Sequence, residues 1–238
     1  MIIWGIHPVL ELLKNTPDQI REIQLQKPGS SGKQQQIISL AEKYGIKTRM
    51  VPKLNIPDES NVNHQGVVAR LDNFKTCTLE EILAEQHQLL VALDSIHDPH
   101  NLGAIIRSSA AAGATGLLIP KDRAAQISGT VAKVAAGALA HIKICTVINL
   151  ADSLRKLKDV GYWIYGAAGE SQQTIYQTDF SGQTCLVIGS EGKGLRPLVQ
   201  KQCDFLIKIP MKKAVNSLNA SVAAGIILFE IARQKNNN

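Results

Sequence analysis

The chain has 238 residues, 45% of them hydrophobic and 19% charged, enough to bury one large core or two modest ones. No apolar run reaches the roughly eighteen residues that a membrane span needs, and Met1 opens on Ile2-Ile3-Trp4-Gly5 with no basic region before a signal core, so a cytoplasmic location is expected. The formal charge of +6 suits a polyanionic partner without demanding one, and the basic surplus is spread along the chain instead of forming an arm.

Residues 1–72 read as a small α/β unit. Ile6 to Lys14 is an amphipathic helix with Val9, Leu10, Leu12 and Leu13 on its apolar side, and Glu22 to Gln26 alternates as a strand does. Pro28 to Lys33 reads as a loop. A helix from Gln34 to Tyr44 stops at Gly45, and strands Lys47 to Val51 and Gly66 to Leu71 bracket a polar loop with two prolines. Residues 73–87, containing Thr78-Leu79-Glu80-Glu81, look like a linker.

Residues 88–238 alternate strand and helix. Leu89 to Leu93 is a buried type of strand ending at Asp94, followed by a turn, His97 to Asn101, and a slim helix, Leu102 to Ala112, that Gly113 stops. Strand Gly116 to Pro120, a loop with Lys121-Asp122-Arg123, helix Ser128 to Ala138 and strand Ile142 to Val147 come next. Helix Leu150 to Val160, strand Trp163 to Ala167 and a polar excursion, Gly169 to Phe180, complete this part. The alternation predicts an α/β domain with a mostly parallel sheet and helices on both faces.

The last third concentrates the small and polar residues. Strand Cys185 to Ile188 breaks into Gly189-Ser190-Glu191-Gly192-Lys193-Gly194-Leu195-Arg196-Pro197. Strand Phe205 to Ile209 ends at Pro210-Met211, and a short basic loop leads to Ser217-Leu218-Asn219 and a helix, Ala220 to Phe229. Open α/β sheets bind ligands at the carboxyl ends of their strands. These turns would lie together if the two strands were parallel neighbours. Leu195 and Arg196 follow Gly194 where a phosphate-binding loop needs Lys and then Ser or Thr, and no G-x-G-x-x-G opens a first strand-to-helix turn. Nucleoside triphosphate and ordinary dinucleotide sites are therefore disfavoured. Cys77, Cys145, Cys185 and Cys203 lack C-x-x-C spacing and are expected as buried reduced thiols. His97 and His100 find no third ligand at suitable spacing, so no metal is expected.

The series Ile188 to Leu195, Ile209-Pro210-Met211 and Ser217-Leu218-Asn219 resembles the second and third motifs of the SpoU (TrmH) branch of the SPOUT RNA 2′-O-methyltransferases. The first motif of that branch stands upstream as Asp98-Pro99-His100-Asn101-Leu102-Gly103 with Arg107, after the acidic strand end at Asp94. Trp4-Gly5-Ile6-His7-Pro8-Val9 and His64-Gln65-Gly66-Val67-Val68-Ala69 resemble the marks of an amino-terminal domain found in some members, similar to kink-turn-binding ribosomal proteins. The resemblance spans nearly the whole chain and points to the subgroup acting on a guanosine of bacterial 23S rRNA, in the peptidyl-transferase region.

This resemblance implies a carboxy-terminal SPOUT α/β-knot domain with a deep trefoil knot, preceded by a small ribosomal-protein-like RNA-binding domain. No rule of sequence reading would propose a knot. It implies S-adenosylmethionine as cofactor, 23S rRNA as partner, and a homodimer through the knotted domain whose active sites draw on both subunits. Arg107 is the catalytic candidate. A guanidinium stays protonated near neutrality, so it is expected to bind the phosphate beside the target ribose and orient the hydroxyl, or else to pair with Glu191. Asn101 could fix Arg107 or the ribose, or cap a helix. Glu191, Ser217 and Asn219 complete the catalytic set, the last two with capping as their plainer reading. Gly189, Gly194, Ile209, Pro210, Met211 and Leu218 are expected around the cofactor, and Lys33, Arg123, Lys212 and Lys213 at RNA phosphates. Two other functions fit the same residues: a tRNA 2′-O-methyltransferase, and a non-catalytic RNA-binding factor of ribosome assembly.

Overall fold

The computed structural model describes residues 1–27, 32–56, 62–72, 74–85, 89–212 and 217–236. By packing the chain forms two compact units, residues 1–75 with 127–141, and residues 76–126 with 142–238.

The first unit opens with β1 (Ile2–Trp4), a strand too short for the alternation rule to detect. α1 (Ile6–Asn15), β2 (Ile20–Gln26), α2 (Gly32–Lys43), β3 (Lys47–Val51) and β4 (Val67–Leu71) follow. The sheet order is β1-β4-β2-β3, with β4 antiparallel to both neighbours and β2 parallel to β3. Gly32 and Lys33, expected in a loop, begin α2. Ile3, Leu13, Ile23, Leu25 and Ile37 are fully buried between sheet and helices. Trp4 packs with Leu54, Ile56 and Val68.

The second unit starts in the expected linker, which carries a structured element: α3 (Leu79–Leu83) is opened by a capping box in which Thr78 and Glu81 bond each other's backbone N–H. β5 (Leu89–Asp94), α4 (Pro99–Ala111) and β6 (Gly116–Pro120) come next. α5 (Gly129–Ala135) belongs to the first unit instead. Gly129 lies flush on β1, where a Cβ would fall 1.8 Å from the Trp4 ring and 2.5 Å from the Ile2 carbonyl. A segment inside the expected 88–238 domain thus packs with the amino-terminal residues.

β7 (Lys143–Val147), α6 (Leu150–Asp159) and β8 (Trp163–Ala167) resume the second unit, and β9 (Gln173–Thr174) adds a short edge. β10 (Thr184–Gly189), α7 (Pro197–Gln200), β11 (Phe205–Lys208) and α8 (Ala220–Asn236) end the chain. The seven strands run β7-β6-β5-β10-β8-β11-β9, every pairing parallel. β10 and β11 are therefore not neighbours; β8 lies between them. Strands buried on both faces read as continuous apolar runs, and β5, β6 and β10 are buried almost throughout. On one face α3 and α6 cover Leu90, Ala92, Leu118 and Val187. Leu150, Leu154 and Leu157 hold α6 there, each contributing about 1.5–3 kcal/mol. On the other face α8 meets β10 and packs along α4.

Candidate active site

A cavity of about 540 Å³ opens at the carboxyl ends of β8, β10 and β11. Its walls are Ala167 to Ser171 after β8, Ile188 to Leu195 after β10, Leu206 to Ile209 with Met211, and the entry to α8, including Ser217, Leu218 and Ala220. Ile188, Ile209 and Leu218 give it apolar surface. Glu170, Glu191, Lys193 and Lys208 bring charges of both signs to the same space.

The loop after β10 is shaped by its glycines. Ser190 N–H donates to the Gly194 carbonyl at 3.1 Å and Gly194 N–H donates back at 2.9 Å, closing a tight turn. A Cβ on Gly189 would sit 2.3 Å from the Gly194 carbonyl carbon. Glycine is thus required at 189 by the returning backbone itself, while Gly192 (φ +78°) and Gly194 (φ +64°) take conformations that side chains resist. Beneath the turn, Asp94 is fully buried at the end of β5. It accepts hydrogen bonds from Arg196 N at 2.7 Å and from Arg196 Nε at 2.5 Å. A buried carboxylate is costly unless paired and bonded; here the pairing fastens the first motif to the loop that lines the cavity.

Three side chains from distant parts of the chain meet at the cavity's rim. Asn101 Nδ2 donates to Glu191 Oε1 at 2.9 Å, and Asn219 Nδ2 donates to the same oxygen at 2.6 Å and to Asn101 Oδ1 at 3.0 Å. Ala220 N–H also donates to Glu191 Oε1, at 3.3 Å. Asn219 caps α8 through Oδ1, which accepts from Ser221 N and Val222 N. Its capping and bridging roles use different atoms of one amide. Asn101 is not a cap: α4 starts two residues earlier, at Pro99, and its cap is Asp98, whose carboxylate accepts from His100 N–H at 2.9 Å. Proline at the first helical position explains the earlier start.

Of the expected cofactor residues, Gly189, Gly194, Ile209, Met211 and Leu218 line the cavity and Pro210 does not. Ser217 lines it as well, without capping α8. Arg107 stands apart. It lies six residues, about 9 Å of helix, beyond Asn101, is exposed, and among the described residues forms no ion pair or hydrogen bond. The pairing of Arg107 with Glu191 is therefore not formed; Glu191 takes amide donors instead. Lys33 starts α2 in the first unit, Arg123 and Lys212 are exposed in the second, and Lys213 lies outside the described residues. The reading of two adjacent strands left out the end of β8, whose loop supplies Glu170 and Ser171. Applying the carboxyl-end rule to Trp163–Ala167 would have found them.

The thiols take no part in this site. Burial pushes the Cys185 thiol up, and pushes Cys203 up to about 12. Cys77 and Cys203 are only partly buried, contrary to expectation, Cys77 because it sits at the sheet margin in register with Cys145. A hydrogen bond from the Cys145 side chain holds the Cys77 thiol below the ordinary range. Among the described residues no group of three His, Cys, Asp or Glu side chains is placed to hold a metal, and no helix is long and apolar enough to cross a membrane.

A parallel α/β sheet with a cavity at its strand ends, rimmed by Asn101, Glu191 and Asn219, defines a ligand-binding α/β domain. The chain belongs to the SpoU rRNA methylase family, whose model matches residues 88–229. A second model, for RNA 2′-O ribose methyltransferase substrate binding, matches residues 2–77. A Pseudomonas aeruginosa 23S rRNA (guanosine-2′-O-)-methyltransferase RlmB is 41% identical over 98% of this chain and 96% of its own length. The Escherichia coli K12 protein of the same name is 39% identical over 98% of both. Among solved structures, the SpoU methyltransferase AviRb from Streptomyces viridochromogenes, in complex with the cofactor AdoMet, superposes with a TM-score of 0.84 at 24% identity, covering 100% of this chain and 91% of that one. The A. aeolicus TrmH/SpoU tRNA modifying enzyme is 30% identical with a TM-score of 0.58, covering 67% of this chain and 85% of that one.

Proposed function

We propose that the protein transfers the methyl group of S-adenosylmethionine to the ribose 2′-hydroxyl of a guanosine in 23S rRNA. The observation that carries this is the meeting of Asn101, Glu191 and Asn219 on one carboxylate oxygen at the rim of the strand-end cavity. The cavity fits such a cofactor: it has the size of small-molecule sites, apolar walls in Ile188, Ile209 and Leu218 for a purine, and charged groups of both signs, Glu170 and Lys193 among them, for an amino-acid moiety and a sulfonium. Gly189, Gly194 and Met211 would complete the pocket. When bound, the cofactor supplies a methyl group activated on positively charged sulfur.

The chain's own residues position the acceptor. Holding oxygen in line with the methyl carbon supplies much of the acceleration, since well-oriented reactants gain about 7–11 kcal/mol in favourable cases. Glu191 locks Asn101 and Asn219 so that the amides present fixed groups beside the cavity, and Ser217 offers a hydroxyl on the same rim. Arg107 is proposed to bind the phosphate next to the target ribose and orient the hydroxyl, whose proton passes to that phosphate or to a transiently neutral guanidine as the oxygen takes the methyl group. Lys33, Arg123 and Lys212, with Lys213, hold the RNA backbone through charge.

The protein acts as a homodimer through α8 in this reading. Ala224, Ile227, Leu228 and Ile231 of α8 are buried, yet Val222, Ile226 and Phe229 on its opposite side are 50%, 37% and 55% exposed. A helix apolar on opposite faces calls for cover on both. An isologous interface there would also bring each exposed Arg107, on the adjacent α4, towards a second subunit. The match to the rRNA relatives along the full chain favours rRNA over tRNA, because the tRNA-modifying relative corresponds to only part of it.

The test is to supply labelled S-adenosylmethionine with unmodified 23S rRNA and, separately, with unmodified tRNA. Transfer to 23S rRNA alone is expected. Transfer confined to tRNA, or tight RNA binding without transfer to either, would overturn the assignment in favour of the corresponding alternative.

A further inference from the structure

Two sequence motifs of the first unit, Gly5-Ile6-His7 and His64-Gln65-Gly66, have no role in the cavity of the second. They are brought together by a polar network. Gln65 Oε1 accepts from Ile6 N–H at 3.0 Å, so the first turn of α1 is already capped, and from Lys133 Nζ at 3.3 Å. Lys133 lies on α5 and reaches over Gly5, where a Cβ would meet its Nζ at 2.6 Å. On the other side of α1's start, Lys33 Nζ lies 3.4 Å from His7 Nε2. An ammonium only donates, so that ring nitrogen stands as the acceptor in this contact. Gln34, next to Lys33, packs against Gly66, where a Cβ would fall 2.8 Å from its Nε2. Lys33, His7, Gln65 and Lys133 therefore frame one patch built from four segments.

The charge on this patch is unmatched. Lys14, Arg21, Arg49 and Lys75 of the same unit each pair with a carboxylate, Glu11, Asp72, Glu22 and Asp18 respectively. Among the described residues Lys33 and Lys133 have no such partner; their polar contacts are an imidazole and an amide. Burial holds the Lys133 ammonium below its ordinary pKa, a cost that no carboxylate offsets. Gln65 keeps a left-handed backbone (φ +53°) that glutamine rarely adopts. Backbone strain of this kind persists where surrounding contacts over-determine it, commonly at binding sites.

We propose that Lys33 and Lys133, with His7 and Gln65 between them, form a cradle for the phosphodiester backbone of the RNA substrate. The proposal rests on the reading of the substrate as RNA. It assigns part of the grip to Lys133, a residue outside the segment matched by the substrate-binding model and inside the one matched by the methylase model. The inserted segment 127–141 thereby takes on an RNA-holding function as well as its packing on β1.

The test is direct binding of the full-length protein to an unmodified 23S rRNA fragment over a range of salt, read without methyl transfer so that failure of catalysis cannot be mistaken for failure of the cradle. Lys33→Gln and Lys133→Gln remove charge while keeping a stem and a hydrogen-bonding end. Each is expected to weaken binding about three- to tenfold and to flatten the slope of log K against log salt by about 0.7 for single-stranded contacts. Both should raise the RNA KM and leave the S-adenosylmethionine dissociation constant at its wild-type value. Arg21→Gln, which removes a carboxylate-paired charge from the same unit, should leave the slope unchanged. Wild-type affinity and slope in the Lys33→Gln/Lys133→Gln double variant would overturn the proposal, as would an equal loss in Arg21→Gln, which would reduce the effect to net charge.

Discussion

The side-chain amide of Asn219 donates to the side-chain oxygen of Asn101 at 3.0 Å, joining residues 118 positions apart in the chain. The bond links the first turn of α4 to the start of α8, and Glu191 Oε1 accepts from both amides. Asn219→Ser keeps a capping oxygen but removes the bridging Nδ2, whereas Asn219→Ala loses both. In urea denaturation Asn219→Ala should cost about 1 kcal/mol more than Asn219→Ser, the usual worth of a cap. A double-mutant cycle with Asn101→Ala should give a coupling of about 0.5–3 kcal/mol. Additive effects would mean that the two amides act independently.

Asp94 and Arg196 make the second long-range link, and here the asymmetry is large because Asp94 is fully buried while Arg196 is 41% exposed. Arg196→Ala leaves the buried carboxylate only the backbone N–H of residue 196 from this loop and should destabilise the protein by about 3 kcal/mol, the lower end of what breaking a buried pair costs. Arg196→Lys should rescue little of this, since the Nε donor is lost. Equilibrium unfolding of the three proteins decides the matter; near-equal stabilities of Arg196→Ala and wild type would show that the pair does not anchor the loop.

Gly189→Ala and Gly192→Ala separate close approach from conformational freedom. The first forces a Cβ into the Gly194 backbone and should cost about 1–3 kcal/mol in stability together with S-adenosylmethionine affinity measured by calorimetry. The second has open space around it and meets only the penalty of φ +78°, on the order of 1 kcal/mol, with cofactor affinity largely kept.

Phe229→Glu places a charge in the exposed apolar stripe of α8. Sedimentation velocity should show a dimer for the wild type and a monomer for the variant, the latter with little or no methyl transfer. An active monomer would refute the two-subunit site.

Thiol chemistry offers a pH-dependent check. Because the Cys145 hydrogen bond lowers the Cys77 pKa, the Cys77 thiolate forms at lower pH than an ordinary thiol gives. Maleimide labelling should mark Cys77 first, with the rate rising as pH climbs through its lowered pKa. Cys145 and Cys185 are buried, with thiols pushed up, and should stay unlabelled in the folded protein. Equal labelling of Cys77 and Cys185 would contradict this environment.

The elements that sequence alone made legible are those whose burial leaves a local mark. Leu89–Asp94 and Gly116–Pro120 announce themselves as apolar runs because both faces are covered. β1 escaped detection because three residues carry no periodicity, and its partner β4 is 64 or more positions away in each register pair. The order β5-β10-β8-β11 was equally illegible: parallel neighbours are chosen by crossovers, which no short window of sequence records. Of the site, the motif residues Asn101, Glu191 and Asn219 were identified and do meet. The end of β8 was missed through the wrong neighbour assignment, and the placing of Lys133 beside Gln65 depends on Gly129 fitting against Trp4, a packing event with no sequence signature.

The most direct measurement is to let the protein methylate unmodified 23S rRNA with labelled S-adenosylmethionine, digest the product to nucleosides, and identify the labelled one. The proposed reaction yields a single labelled species, 2′-O-methylguanosine, sharply reduced with Arg107→Ala protein that still folds and binds the cofactor. Label on a base, or undiminished ribose methylation by Arg107→Ala, would contradict it.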